Sequence, residues 1–243
     1  MKNKTIFIPI NPYNRPGKAS KPVRICVHYT GDVGAGADIL ALFYSNVAAG
    51  MFPDKPQNWT SAHYIVGLYG EIIRVVPDNE VAYAASGKNS GTIHIEVCYK
   101  QSSGEFEQAS KNALRELVLA LMKKYNISSD NVVRHYDLTG KLCPYFYIDN
   151  KRWAALHNYI TTPGLKPATL YRVQVGAFTN KTNANNYMSK IKAAGFSAFL
   201  VTENDGSLYR VQVGAFSSKA NANAFLKSLK KDGFDGFITK TTS

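Results

Sequence analysis

The segment RHYDLTGKLCPY, residues 134–145, places an imidazole at His135 and a thiol at Cys143, with the ammonium of Lys141 two positions before the thiol. Such a group is a chance cluster, a cysteine nucleophile with its base, or a pair of metal ligands. The remaining imidazoles are His28, His63, His94 and His157, and the remaining thiols are Cys26 and Cys98. A zinc enzyme takes three nitrogen, sulfur or oxygen donors and keeps a fourth position open, and two histidines with one cysteine form an accepted set. His28, with His135 and Cys143 on a loop, supplies that set. On the residues alone the other readings stay open, because a single cysteine also serves as a small buried hydrophobe.

Strands and helices must bring residue 28 to residues 135 and 143. VRICVHY (23–29), AHYIVGL (62–68), EIIRVV (71–76) and TIHIEVCY (92–99) read as strands, with LYGE (68–71) as a tight turn between two of them. His28 closes the first strand, His63 lies within the second and His94 in a later one. Alternation along TIHIEV sets Glu96 and His94 on the face opposite Ile93, Ile95 and Val97, and Cys26 shares the face of His28. ADILALFYSNV and EQASKNALRELVLALMKKY read as helices, the second with Leu114, Leu117, Val118, Leu121 and Met122 along one stripe. The fold class expected for residues 1–160 is α/β, a mixed β-sheet flanked by helices.

ITTPGLKPAT, residues 160–169, follows a helical run and concentrates Pro163, Gly164 and Pro167, which marks residues 161–168 as a linker. Beyond it, LYRVQVGAFTNKTNANNYMSKIKAAGF (170–196) recurs as LYRVQVGAFSSKANANAFLKSLKKDGF (208–234), a 38-residue period. Each copy reads as strand, helix, strand, with Ala184, Tyr187, Met188 and Ile191 on the first helical stripe and Ala222, Phe225, Leu226 and Leu229 on the second. Neither copy has apolar surface enough to fold alone. Residues 169–243 are therefore expected to form one small α+β unit, βαββαβ, with both helices on one sheet face. The other face is expected to stay open and to carry Arg172, Gln174, Arg210 and Gln212.

Three widely spaced cysteines and an N-terminus whose apolar run is broken by Asn11, Pro12 and Asn14 argue against a disulfide framework, a signal peptide and a membrane span. The expected product is a soluble chain made in the cytoplasm. Net charge is +12. Residues 1–160 hold 18 basic and 13 acidic residues (+5), and residues 161–243 hold 11 and 4 (+7). The denser positive charge in the C-terminal third suits a polyanionic partner.

The segments VHYT (27–30), SAHYIVGLYGEIIRVV (61–76), GTIHIEVCY (91–99) and RHYDLTGKLCP (134–144) together resemble the four signature segments of the N-acetylmuramoyl-L-alanine amidases that share a fold with peptidoglycan recognition proteins. The resemblance covers roughly residues 20–160. It implies a zinc enzyme (Zn2+) that cleaves the amide between muramic acid and the first L-alanine of the stem peptide. It makes His28, His135 and Cys143 the zinc ligands, Glu96 the general base and Lys141 the group facing the developing oxyanion. Another branch of the family uses a tyrosine just before the histidine of the second segment; Ala62 stands there, which leaves Glu96 as the base. His63 is expected to line the substrate groove or fill a core slot, His94 to touch substrate or to stand behind the ligands without contacting it, and His157 to have no role.

Residues 169–243 resemble a SPOR domain, a module that binds septal peptidoglycan, and the resemblance implies glycan contacts at Arg172, Gln174, Arg210 and Gln212. A four-stranded sheet with two helices is also an RNA-recognition architecture, but VQVGAF lacks the row of exposed stacking aromatics, so nucleic acid is not an expected partner. The expected partner is Gram-positive peptidoglycan, with anionic wall polymers suited to the charge. The chain resembles a phage endolysin released through a holin pore, or an autolysin freed when the mother cell lyses. Two rivals stand beside this reading. One is a cysteine peptidase with Cys143 as nucleophile and His135 or His28 as base. The other is a recognition module without activity, against which the presence of Cys143 and Glu96 argues.

Overall fold

A computed structural model describes residues 3–55, 59–164, 169–202 and 207–241. The chain forms two compact units whose division falls in residues 165–168, outside the described residues. Of the expected linker's described part, Thr161 still belongs to a helix and Pro163 and Gly164 form a turn.

The first unit is built on a six-stranded mixed sheet. Its strands are β1 (Asn3–Thr5), β2 (Arg24–Val33), β3 (Tyr64–Val66), β4 (Ile72–Arg74), β5 (Thr92–Tyr99) and β6 (Val132–Arg134), in the order β1-β4-β3-β5-β2-β6. Only the β3–β4 pair is antiparallel. Its turn is closed by the Gly67 N–H donating to Glu71 O at 2.8 Å, with Gly70 in the left-handed region at φ 85°. The parallel pairs β2–β5 and β2–β6 place β2 between β5 and the edge strand β6, and parallel strands need cover on both faces.

Helix α1 (Ala37–Ala48) covers one face, and α2 (Gln108–Tyr125) with α4 (Asn150–Thr161) covers the other. Between β6 and α4 lies the short α3 (His135–Thr139). The stripe of α2 packs Leu114, Leu117, Val118 and Leu121 on Ile25, Val27, Ile93, Ile95 and Val97. Each fully buried aliphatic side chain there contributes about 1.5–3 kcal/mol. Helix α2 ends at Asn126, whose left-handed backbone (φ 53°) turns the chain, and Asp149 caps α4 by accepting from the Arg152 N–H at 2.8 Å.

The second unit contains β7 (Leu170–Phe178), α5 (Lys181–Ala193), β8 (Phe199–Thr202), β9 (Tyr209–Phe216), α6 (Lys219–Lys231) and β10 (Phe237–Thr241). The sheet is antiparallel in the order β10-β7-β9-β8. Both helical stripes bury their small and branched members, Ala184, Ile191, Ala222 and Leu229, against Val173, Val175, Val211 and Val213. The repeat thus supplies two equivalent halves of one core.

On the first unit, Asp78 is the hub of a buried polar cluster. Its side chain is 1% exposed, and its carboxylate accepts from Tyr64 Oη (2.6 Å), Tyr125 Oη (2.6 Å) and Lys124 Nζ (2.9 Å) while pairing with Arg74 Nη2 (2.7 Å). Burial alone raises the carboxyl pKa, but the hydrogen bonds from Tyr125, Tyr64 and Lys124 and the charge of Arg74 outweigh it and bring the value from 3.8 down to about 2. A depressed carboxylate pKa stabilises the fold above the unfolded value, and that contribution disappears as pH falls through the folded value. Asp78→Asn is therefore predicted to cost about 2 kcal/mol at pH 7 in urea unfolding, with the two proteins converging as pH falls toward 2. Equal stability at pH 7 would contradict this role.

Candidate metal centre

The β2–β5 pair sets the site by alternation and register. Strands β2 and β5 run parallel with Cys26 opposite His94 and His28 opposite Glu96, so all four side chains share the sheet face opposite the α2 core. Strand β6 lies on the other side of β2 and delivers His135 as the first residue of α3. His135 was expected on a loop; it is helical, because β6 passes directly into α3.

An ion pair holds that junction. The backbone N–H of Arg134 donates to Asp137 Oδ2 (2.7 Å), Arg134 Nη2 pairs with Asp137 Oδ1 (2.6 Å), and Arg134 Nη1 donates to Tyr147 O (2.7 Å). Gly140 (φ 78°) ends the helix, and the Tyr136 N–H donates to Cys143 O (2.9 Å), bringing the thiol back beside α3. Arg134 and Asp137 are functional supports that the sequence reading passed over; their i, i+3 spacing around His135 was the available signal.

These elements bring His28, His135 and Cys143 together, at 1%, 4% and 3% exposure, with one donor atom from each within 4.8 Å of the others. Cys143 Sγ lies 3.8 Å from His28 Nδ1, and the rings of His28 and His135 are 4.6 Å apart. Burial, then the charge of Lys141, lowers His135 to about 4; burial, then His135 and Lys141, holds His28 well below the usual imidazole value. Both rings are neutral at pH 7 and offer lone pairs. Among the described residues His135 Nδ1 is buried with no hydrogen-bond partner, a donor set and an orphan nitrogen that fit a zinc ion.

Glu96 stands beside this cluster. Its Oε2 is buried with no partner among the described residues, and burial pushes its pKa up to about 8 against the pull of Lys141. Lys141 is exposed, and its charge reaches Glu96, His28, His135 and Cys143.

Four expectations need correction. His63 and His94 are fully buried and held by protein partners, which fits the core-slot and behind-the-ligand readings and not the substrate contacts. His63 Nδ1 accepts the His94 N–H (3.0 Å) and its Nε2 lies 3.0 Å from Glu80 O, while His94 Nδ1 lies 3.0 Å from His28 Nε2. In the second unit, Gln174 and Gln212 are 6% and 5% exposed where an open face was expected. They oppose each other across β7 and β9, and each Nε2 lies within hydrogen-bond reach of a carbonyl two residues ahead on its own strand, Gly176 O (3.4 Å) and Gly214 O (3.3 Å). Val173 and Val175, like Val211 and Val213, face the helices, so alternation holds through both glutamines and sets them on the other face; what differs from expectation is how little of them is exposed there. Arg172 and Arg210 are partly exposed.

A mixed sheet between helices, with two histidines and a cysteine converging beside β2 and β5, defines an α/β domain whose donor set could hold a metal ion. Residues 18–146 match the family model for N-acetylmuramoyl-L-alanine amidase, and the chain belongs to that family; residues 167–240 match the SPOR domain. A probable N-acetylmuramoyl-L-alanine amidase of Bacillus licheniformis is 34% identical over 151 residues, 57% of this chain and 41% of the relative. The N-acetylmuramoyl-L-alanine amidase XlyA of Bacillus subtilis is 37% identical over 147 residues, 59% of this chain and 46% of the relative. The chain thus spans less than half the length of these curated relatives. The solved catalytic domain of XlyA superimposes with a TM-score of 0.56 at 32% identity, covering 66% of this chain and 99% of that one.

Burial, then Glu96, pushes the Cys143 thiol up to about 12, whereas a cysteine nucleophile is activated by a lowered pKa. Iodoacetamide at pH 8 is therefore predicted to leave Cys143 of the folded, metal-free protein unmodified for hours by mass spectrometry. Rapid labelling would revive the nucleophile reading.

Proposed function

We propose that the chain is a peptidoglycan hydrolase that cleaves the amide between N-acetylmuramic acid and the L-alanine of the stem peptide. The observation that carries this is the meeting of His28, His135 and Cys143 with Glu96 on one sheet face, in a chain of the amidase family. His28, His135 and Cys143 hold zinc. The ion supplies Lewis acidity and makes water acidic enough to lose a proton near neutral pH.

Glu96 takes the proton of the attacking water as its oxygen adds to the lactyl carbonyl carbon, and returns it to the alanine nitrogen as the C–N bond breaks. A carboxyl whose pKa lies near neutrality is suited to both transfers. The Lys141 ammonium faces the carbonyl oxygen and stabilises the negative charge that develops there, a contribution on the order of a few kcal/mol. The products are a free lactyl carboxylate and an N-terminal alanine. Atoms balance with one water consumed.

Residues 1–160 carry this chemistry, and residues 169–243 hold the enzyme to the wall as a SPOR-like module. With Gln174 and Gln212 buried, Arg172 and Arg210 are the stronger candidates for glycan contact. The Bacillus relatives support a Gram-positive wall as substrate, and the +7 charge of residues 161–243 suits its anionic polymers. Among the described residues no helix is long and apolar enough to cross a membrane. Access to the wall comes through a holin pore or lysis of the mother cell.

Two variants test the assignments. Glu96→Ala is predicted to keep one zinc per chain by elemental analysis while turnover falls about 10²–10⁴-fold, and unchanged turnover would remove Glu96 from the mechanism. Cys143→Ser is predicted to lose both zinc and lysis. A zinc-replete, fully active serine variant would sink the ligand assignment.

A further inference from the structure

An imidazole that binds a metal through one ring nitrogen carries its proton on the other, and that N–H nearly always finds an acceptor that fixes tautomer and ring orientation. His28 points Nδ1 toward Cys143 Sγ at 3.8 Å and Nε2 toward His94 Nδ1 at 3.0 Å. Both histidines are buried, so water does not compete for the contact. Of the two ways to place the shared proton, only one leaves His28 Nδ1 a lone pair. The proton sits on His28 Nε2 and is donated to His94 Nδ1, and the proton of His94 then sits on its own Nε2.

The backbone around His94 is anchored by His63, the residue just before β3. Its N–H donates to His63 Nδ1 at 3.0 Å, and its carbonyl accepts the His63 N–H at 2.9 Å. Since His63 Nδ1 is the acceptor, its Nε2 carries the proton and donates to Glu80 O at 3.0 Å. Glu80 is in turn gripped by Arg15 through Nε (2.7 Å) and Nη2 (2.8 Å). Steric and hydrogen-bond constraints thus run from a part-buried ion pair to the ring beside the metal ligand.

We infer that His94 is a positioning residue of the metal centre: its Nδ1 accepts the His28 Nε2 proton, which fixes the His28 tautomer and leaves His28 Nδ1 free for zinc. The inference rests on the reading of His28 as a ligand. His94 acts through His28 and not on substrate. The donors Cys26, His28 and His94 also lie within 4.8 Å of one another, which gives the competing account, a second metal bound behind the first.

The test uses the full-length chain, with zinc affinity and stoichiometry measured by competition with a chromophoric chelator. His94→Leu removes the acceptor, and His94→Asn restores one, because Asn Oδ1 stands where His Nδ1 stood. The leucine variant is predicted to bind zinc about 10–100-fold more weakly, the asparagine variant within a few-fold of the parent, and the parent to bind one zinc. Long-range proton–nitrogen correlation on the zinc-loaded parent is predicted to show His28 protonated at Nε2, a readout that stands even where the leucine variant fails to fold. Equal affinity in a folded leucine variant, or His28 protonated at Nδ1, overturns the inference. Two zinc ions per parent chain, falling to one in Cys26→Ala, overturns it in favour of a second site. Undiminished zinc binding by His28→Ala overturns the ligand assignment itself, and with it the role of His94.

Discussion

Polar side chains buried on the face of a central sheet must satisfy one another, and the β2–β5 register decides which of them can. Cys26 opposite His94 and His28 opposite Glu96 put two imidazoles, a thiol and a carboxylate on one face. On the reverse face the same strands present Ile25, Val27, Ile93, Ile95 and Val97 to α2. Because side chains alternate with period two, a one-residue slip of either strand would exchange these sets. The apolar core on one side is therefore what holds the chemistry on the other in place.

The neighbouring elements complete what the register begins. Strand β6 runs alongside β2 and passes into α3 at His135, and the Arg134–Asp137 pair with the Tyr136-to-Cys143 hydrogen bond returns the loop to the sheet. Burial lowers the basicity of the imidazoles and raises the pKa of the thiol and of Glu96. All four groups are pushed toward their neutral forms, as expected where charge is costly unless an ion compensates it. A divalent ion reverses that logic by favouring the thiolate, which ties metal loading to release of the Cys143 proton.

Much of this was legible in the chain. TIHIEVCY announced both its strand and the side on which Glu96 stands, the Leu114 to Leu121 stripe announced α2, and the duplicated YRVQVGAF announced the second unit. Alternation gives a face but not a depth. For His63 and His94 the pattern therefore left groove and core readings side by side, and each lies fully buried and hydrogen-bonded. Gln174 and Gln212 misled in the same way, because alternation sets them on the face away from the helices and says nothing of how little of them stays exposed. The strands β1 and β6 are three residues long, too short to show a period. The helical start at His135 depends on the Arg134–Asp137 pair, whose importance appears only once Tyr147 closes on it.

The central claim is that the clustered donors hold an ion that makes this chain an amidase, and end-group analysis of Gram-positive peptidoglycan tests it most directly. Walls digested with and without a zinc chelator are assayed for new amino termini and new reducing sugars. The account predicts new N-terminal alanine without new reducing ends, abolished by the chelator and restored by zinc. New reducing ends, a different amino terminus, or release indifferent to chelation would contradict it.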